Sequence, residues 1–277
     1  MVSSVKRFSL LSDDILTHLE SIFFVVRNYL LMNQHQNEVV SVNPRGGNSH
    51  QYDIEAEKIV INYLLEHFPT SRILSEEVGM VNESVDSYDY IFVVDPVDGS
   101  INLSQGIPMV GFSIAVIEGE SIGTDSVIYA LIGNIFSGAF ITASKGSGSF
   151  LRDVPVRRRE LSLDTAIVSC SLNPLSHEHY LLFQSVNNAF KQVRSLGSSA
   201  IELSYVIQGI TSAHYDFRRS LTAENFLAAS LILKEMGGNL TDLYGNEISN
   251  IENLVEGYSI VASHNANYHK HFLDVLR

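Results

Sequence analysis

Tyr90-Ile91-Phe92-Val93-Val94-Asp95-Pro96-Val97-Asp98-Gly99-Ser100-Ile101-Asn102 is the stretch on which the reading of this chain turns. Its apolar, largely β-branched start predicts a short buried strand that delivers its C-terminal end to Asp95. Asp95 and Asp98, separated by Pro96 and Val97 and followed by Gly99, are spaced to converge on one point. Pro96 and Gly99 predict an irregular turn that frees the Val97 carbonyl and the amides beyond Gly99. Hard cations such as Mg²⁺ take several oxygen ligands, and freed amides at a helix start bind phosphate. A polar turn with capping aspartates has the same spacing, so the segment alone leaves both readings open.

Upstream, Ile73-Leu74-Ser75-Glu76-Glu77-Val78 places two acids after another strand-like piece, where solvated acids and site acids look alike. Asp53 starts a helix predicted to run to Phe68, with Ile61, Leu64, Leu65 and Phe68 on one face and Pro69 ending it. The polar segment from Ser41 to His50 reads as a surface loop. Before it, Ser12-Asp13-Asp14 reads as the capped start of an amphipathic helix carrying Ile15, Leu19, Ile22, Phe23, Val26 and Leu30.

Downstream, apolar runs at 111–117, 126–131 and 135–142, separated by glycine-containing turns, predict an antiparallel meander closed by Lys145-Gly146-Ser147-Gly148. That glycine pair reads as a turn and not as a nucleotide-binding loop. After about Arg152 the pattern alternates: a strand at 166–170, a helix at 198–208, and a helix from Thr222 to Met236 stopped by Gly237-Gly238. Asp242 to Asn246 reads as a hairpin turn. The chain thus divides into an α+β half, 1–152, and an α/β half, 153–277, with no flexible linker and no repeat.

With 277 residues, 45% apolar and 18% charged, the chain has an ordinary globular composition with material for a sizeable core. An excess of 31 acids over 18 Lys and Arg gives −13, which argues against nucleic-acid and anionic-membrane surfaces and leaves room for an acidic cation site. Cys170, alone in the sequence, reads as a small buried hydrophobe. Lys6 and Arg7 are followed by too short an apolar run for an export signal, and Ile22–Val26, cut by Arg27, is far short of a membrane span; a cytoplasmic protein is expected. The pairs His177/His179 and His269/His271 read as exposed histidines without a metal role.

The order Asp53, Glu76-Glu77, Asp95-Pro96-Val97-Asp98-Gly99-Ser100-Ile101-Asn102, Gly197-Ser198-Ser199-Ala200, Ala228-Ala229 and Gly237-Gly238 closely resembles the inositol monophosphatase family. These are metal-dependent, lithium-sensitive sugar phosphatases that include archaeal-type fructose-1,6-bisphosphatases. The resemblance covers nearly the whole chain. It implies a layered α-β-α-β-α sandwich of mixed α/β and α+β character, and a homodimer. It also implies two or three Mg²⁺ ions, with Mn²⁺ as a substitute. Glu76, Asp95 and the Val97 carbonyl would hold the first ion, and Asp95 and Asp98 would share the second. Asp53 and Ser100 would bind the attacking water, with Glu76 also at the reacting centre. Gly99 and Ser100 amides would cradle a small phosphorylated substrate, and Asp98, Gly197, Ser198, Ser199 and Asp216 would contact it. Arg194 and Arg218 stand where fructose-bisphosphatase-like members hold a second phosphate. One departure stands out: the family's usual Trp-Asp is Glu224-Asn225 here, so Asn225 would offer the second metal a carbonyl without charge, and Glu224 would point some 100° away. The implied activity is phosphate-ester hydrolysis of inositol 1-phosphate or fructose 1,6-bisphosphate. Alternatives are 3′-phosphoadenosine 5′-phosphate or NADP, or a binding protein whose turnover has decayed.

Overall fold

The computed structural model describes residues 2–34, 38–42, 48–84, 87–157, 162, 165–172, 176–253 and 255–276, with side chains from residue 15 onward except at 42 and 48. In chain order, the first half contains α1 (Val2–Asn33), β1 (Val39–Val42), β2 (Asn48–His50), α2 (Gln51–His67), β3 (Arg72–Ser75), β4 (Gly79–Val81), β5 (Ile91–Asp98) and α3 (Ser100–Ser104). The meander follows as β6 (Gly111–Ile117), β7 (Val127–Asn134), β8 (Phe140–Ser144), β9 (Gly148–Leu151) and β10 (Val154–Pro155). The remainder contains β11 (Ile167–Cys170), α4 (His177–Ala189), β12 (Gln192–Arg194), α5 (Ser199–Ile207), β13 (Ala213–Leu221), α6 (Ala223–Met236), β14 (Asn239–Thr241), β15 (Tyr258–Ser263) and α7 (Ala266–Val275).

Strand periodicity builds the layers. The first sheet runs β10-β9-β8-β7-β6-β5-β3-β4, with β3 and β5 parallel. Along β5 and β6, Phe92, Val94, Ile114 and Val116 face α1 and α2. Their neighbours Ile91, Val93, Ala115 and Ile117 face α5 and α6 on the other side, as the alternation of side chains along a strand requires. The second sheet runs β12-β11-β13-β15-β14. Ile260 and Ala262 turn toward α5 and α6, whereas Val168, Tyr215 and Val261 pack on Val186 of α4 and Phe272 of α7. The result is the expected α-β-α-β-α sandwich. Its middle helical layer comes from the second half of the chain and covers the first sheet, so the halves share one core.

Several local expectations change. Helix α1 runs upstream of Ser12 to Val2, because Val5, Phe8 and Leu11 continue the spacing begun at Ile15. Ile15–Asn33 is long and apolar enough by composition to cross a membrane, unlike the short run weighed above, yet Ile15, Leu19, Ile22, Phe23, Val26 and Leu30 are all buried within the protein. The expected loop from Ser41 to His50 begins and ends in paired strands, β1 against β2; its residues 43–47 lie outside the described residues. The run 135–142 is broken at its start, where the Asn134 side chain accepts the Ser137 N–H at 2.8 Å and Gly138 turns left-handed. The turn at Asp242–Asn246 is present, but a long excursion separates it from β15. His269 is buried, not exposed, because its two ring nitrogens find hydrogen-bond partners in the Thr241 and Ser263 hydroxyls at 2.9 and 3.2 Å.

Gly133 of β7 lets the sheet close on Phe23: a Cβ there would lie 2.2 Å from the Phe23 ring. Gly133→Ala should therefore cost about 1–3 kcal/mol of unfolding free energy by overpacking. Adding Phe23→Leu should recover part of that cost in urea titrations, and strictly additive losses would show that the two sites are not coupled.

Between α5 and the second sheet, Glu202 is wholly buried; burial pushes its carboxyl up to about 8, although it accepts the Leu196 N–H at 2.8 Å. A folded-state value above the unfolded one means stability that is complete at acid pH and is lost as pH rises toward 8. Glu202→Gln keeps the acceptor and removes this loss. Its melting temperature, relative to the natural protein, should climb between about pH 5 and about pH 8.5; a flat difference would mean that Glu202 is ionised throughout.

Candidate active site

Parallel pairing of β3 with β5, Ser75 beside Val94, puts the residues that follow them, Glu76 and Asp95, side by side at the C-terminal edge. The turn expected at Pro96 is instead a β-bulge: Asp95 and Asp98 oppose Ser113 and Gly111, so three steps on β5 match two on β6. The bulge lets Val97 leave the ladder, and its N–H returns to Asp95 Oδ1 at 3.0 Å. Gly99 then caps α3 at φ +98°, where a Cβ would press to 2.9 Å of the Met109 carbonyl. Helix α2 packs against β5 and brings Asp53 from its first turn. Asp53, Glu76, Glu77, Asp95, Val97 and Ser100 line one small cleft.

This cleft holds more negative charge than it can shield. Asp95 is 1% exposed, and burial, then the charges of Glu76, Asp98 and Glu224, hold its carboxyl well above the usual range. Burial also pushes Asp53 up to about 6, against hydrogen bonding from His50, whose N–H donates to Asp53 Oδ2 at 2.9 Å; Glu77 pushes the same way as burial. Asp53 Oδ1 is buried with no hydrogen-bond partner among the described residues. One turn on, Glu57 is pushed by burial up to about 7 while accepting the Ser75 hydroxyl and the Glu77 N–H. The Ser49 hydroxyl donates to Glu77.

The second half of the chain closes the site through Asp98, whose Oδ2 accepts the Ser198 hydroxyl at 2.7 Å and the Ala200 N–H at 2.5 Å. One amide of Asn102 draws the halves together, donating to Met109 O at 2.7 Å and Leu196 O at 2.8 Å. Gly197 and Ser199 flank this seam: Gly197 abuts the Asn102 amide, and Ser199 opens α5. Asp216 is buried and paired with Arg218, Nη2 to Oδ2 at 2.6 Å and Nε to both oxygens at 3.1 Å. Arg194 is exposed and turned onto its own strand, bonding Gln192 Oε1 and Val193 O, each at 2.9 Å. It is not drawn into the cleft.

Asn225 lies against Asp95, but not as a carbonyl donor. Its Oδ1 accepts the Thr222 N–H at 3.0 Å, completing a capping box, and its Nδ2 donates to Asp95 Oδ2 at 3.1 Å. Glu224, expected to point away, raises both Asp95 and Asp98 by its charge. The 100° argument fails because both side chains leave the first turn of α6, where Cα–Cβ bonds tilt toward the helix N-terminus and hence toward the cleft.

Among the described residues no three His, Cys, Asp or Glu side chains are already gathered tightly around one point. The donors nonetheless fit a hard cation: they are oxygens only, one of them is buried without a partner, and their mutual repulsion rises with every ionisation. Sequence reasoning missed Glu57, Asn102 and Glu202. The spacing Asp53-x-x-x-Glu57, one helix face, was the available signal for the first.

The sequence profile of the inositol monophosphatase family matches residues 22–277. A fructose-1,6-bisphosphatase/inositol-1-monophosphatase of Methanothermobacter thermautotrophicus is 30% identical over 246 residues, spanning 86% of this chain and 87% of that one. A bifunctional NADP phosphatase/NAD kinase of Methanococcus maripaludis is 27% identical over 86% of this chain and 44% of its own length. Among solved structures, the extragenic suppressor protein suhB of Bartonella henselae superimposes with a TM-score of 0.80 at 26% identity, over 95% of this chain and 98% of the other. Together with the acidic cleft at the end of β5, these matches identify the chain as a phosphatase belonging to the inositol monophosphatase family.

Proposed function

We propose that this protein hydrolyses phosphate monoesters of small polyols or sugars, with inositol 1-phosphate and fructose 1,6-bisphosphate as the first substrates, in a Mg²⁺-dependent reaction. The observation that carries this reading is the gathering of Asp53, Glu76, Asp95, Val97 and Ser100 on one cleft beside the start of α3. Glu76, Asp95 and the Val97 carbonyl would hold one ion, and Asp95 and Asp98 a second. Ions held there would neutralise the phosphate oxygens and favour ionisation of an attacking water. Asp53 Oδ1, buried and without a partner among the described residues, would accept a proton of that water, and its elevated pKa suits a base working near neutrality. The Gly99 and Ser100 N–H groups, at the start of α3 where helical bonding leaves amides open, would cradle the phosphate. Ser198 and Ser199, at the start of α5, would contact the substrate. A second reading, hydrolysis of a nucleotide phosphate such as that of NADP, draws on the similarity to the NADP phosphatase/NAD kinase.

Phosphate release from a panel of these substrates, with Mg²⁺ titrated and then removed by a chelator, tests the reading. Asp95→Asn should lose activity by at least about 10³-fold, yet its metal-free melting temperature should not fall, because one of several repelling buried acids is removed. Near-normal turnover in this variant would refute the site.

Arg218 tests substrate choice. Engaged with buried Asp216 on two sides, it supports the fold as well as any second phosphate. Arg218→Ala should lower stability on the order of 3 kcal/mol and reduce turnover of both substrates. A rise in KM confined to fructose 1,6-bisphosphate, with an unchanged melt, would mean that its guanidinium serves the substrate alone.

A further inference from the structure

The departure at Glu224-Asn225 carries a second conclusion, which rests on the cation reading above. Asn225 has its orientation fixed: the Thr222 N–H can only donate, so the amide oxygen must face it, 3.0 Å away, and the NH₂ must face Asp95. Reversing the amide would set its oxygen against the Asp95 carboxylate and its NH₂ against the Thr222 N–H, two repulsive contacts in place of two bonds. In this setting Asn225 offers no oxygen toward the cleft.

Glu224 differs in every respect that matters. It is 1% exposed. Its backbone is fixed over the site, since the Ser113 hydroxyl donates to the Glu224 carbonyl at 2.9 Å, and Ser113 is the register partner of Asp95 on β6. The Thr222 hydroxyl donates to Oε1 at 2.5 Å, which steadies the carboxylate in a single rotamer. The same Thr222 hydroxyl oxygen lies 3.2 Å from Asn225 Oδ1, which sets the Glu224 carboxylate beside the amide that bonds Asp95. A glutamate is one methylene longer than an aspartate, and it starts one residue nearer the helix end.

We propose that Glu224, and not Asn225, supplies the third carboxylate for the second cation beside Asp95 and Asp98, while Asn225 clamps Asp95 in place. The charge missing at position 225 is thereby restored one residue upstream, and the second ion is not a weakened remnant.

Direct cation binding tests this without reference to turnover. Mn²⁺ titrated into the natural protein, followed by calorimetry and by loss of the free-ion paramagnetic signal, should fill two classes of site. Glu224→Gln should weaken the second class by tenfold or more and leave the first unchanged, with a metal-free melt no lower than that of the natural protein. A Glu224→Gln titration that superimposes on the natural one overturns the assignment. Should that variant not fold, Glu224→Asp keeps the charge and shortens the reach; the same selective loss supports the assignment, and an unchanged titration overturns it. A natural protein that binds no Mn²⁺ at all refutes the cation reading itself, and the assignment with it.

Discussion

Asp95 is a carboxyl sealed inside protein and pushed upward by burial and by the charges of Glu76, Asp98 and Glu224, and most of the surrounding architecture follows from keeping it there. Burial and repulsion push its ionised form uphill. The chain answers with the donors it has: the Val97 N–H folded back by the bulge, and the Asn225 amide at the head of α6. Both come from rigid elements, a strand edge and a helix first turn, so the carboxylate is held in one orientation before any ligand arrives. Such rigidity is what electrostatic catalysis needs, since charges already in place require no reorganisation during reaction.

The middle helical layer explains how this is possible. Helices α5 and α6 lie between two sheets, with Ala200, Phe226 and Leu227 in one continuous apolar cluster with β5, β6 and β7. Their N-terminal ends emerge at the same edge as the C-terminal ends of β3 and β5. The first turns of α5 and α6 thus meet Asp98 and Asp95, and apolar packing far from the cleft sets the spacing of the polar groups within it.

The strands were legible as short apolar, β-branched runs and the long helices by apolar stripes; the layered stacking was implied by the family resemblance, since residues 91–94 are apolar on both faces and show no alternation. The acids were legible because Asp95, Asp98 and Glu76 each come just after an apolar, strand-like run in the sequence, although β5 itself continues through Asp98. What escaped depends on which way a side chain turns. Asn225 and Glu224 are neighbours in sequence, and only the capping bond to Thr222 decides that one amide faces Asp95. Arg194 and Arg218 illustrate the same limit: two arginines in matching neighbourhoods, one folded back on its own strand and the other held by Asp216. Glu202 and His269 carry no sequence signal of burial, because their partners follow no local spacing rule: Leu196 N–H and the Ser263 hydroxyl lie six residues away around a change of element, and the Thr241 hydroxyl 28 residues away.

The pair of hydrogen bonds donated by Asn102 reaches further than holding a loop. One NH₂ group joins the Met109 carbonyl, next to the first sheet, to the Leu196 carbonyl, which leads into the second half. Any fluctuation that frees segment 194–198 must also release Met109 and the α3 turn carrying Ser100, so seam and cleft form one cooperative opening unit. Amide protons along 99–103 and 196–202 would then exchange with solvent at a common rate. For this protein, access to the cleft through loosening of the seam and preservation of its geometry are mutually exclusive states.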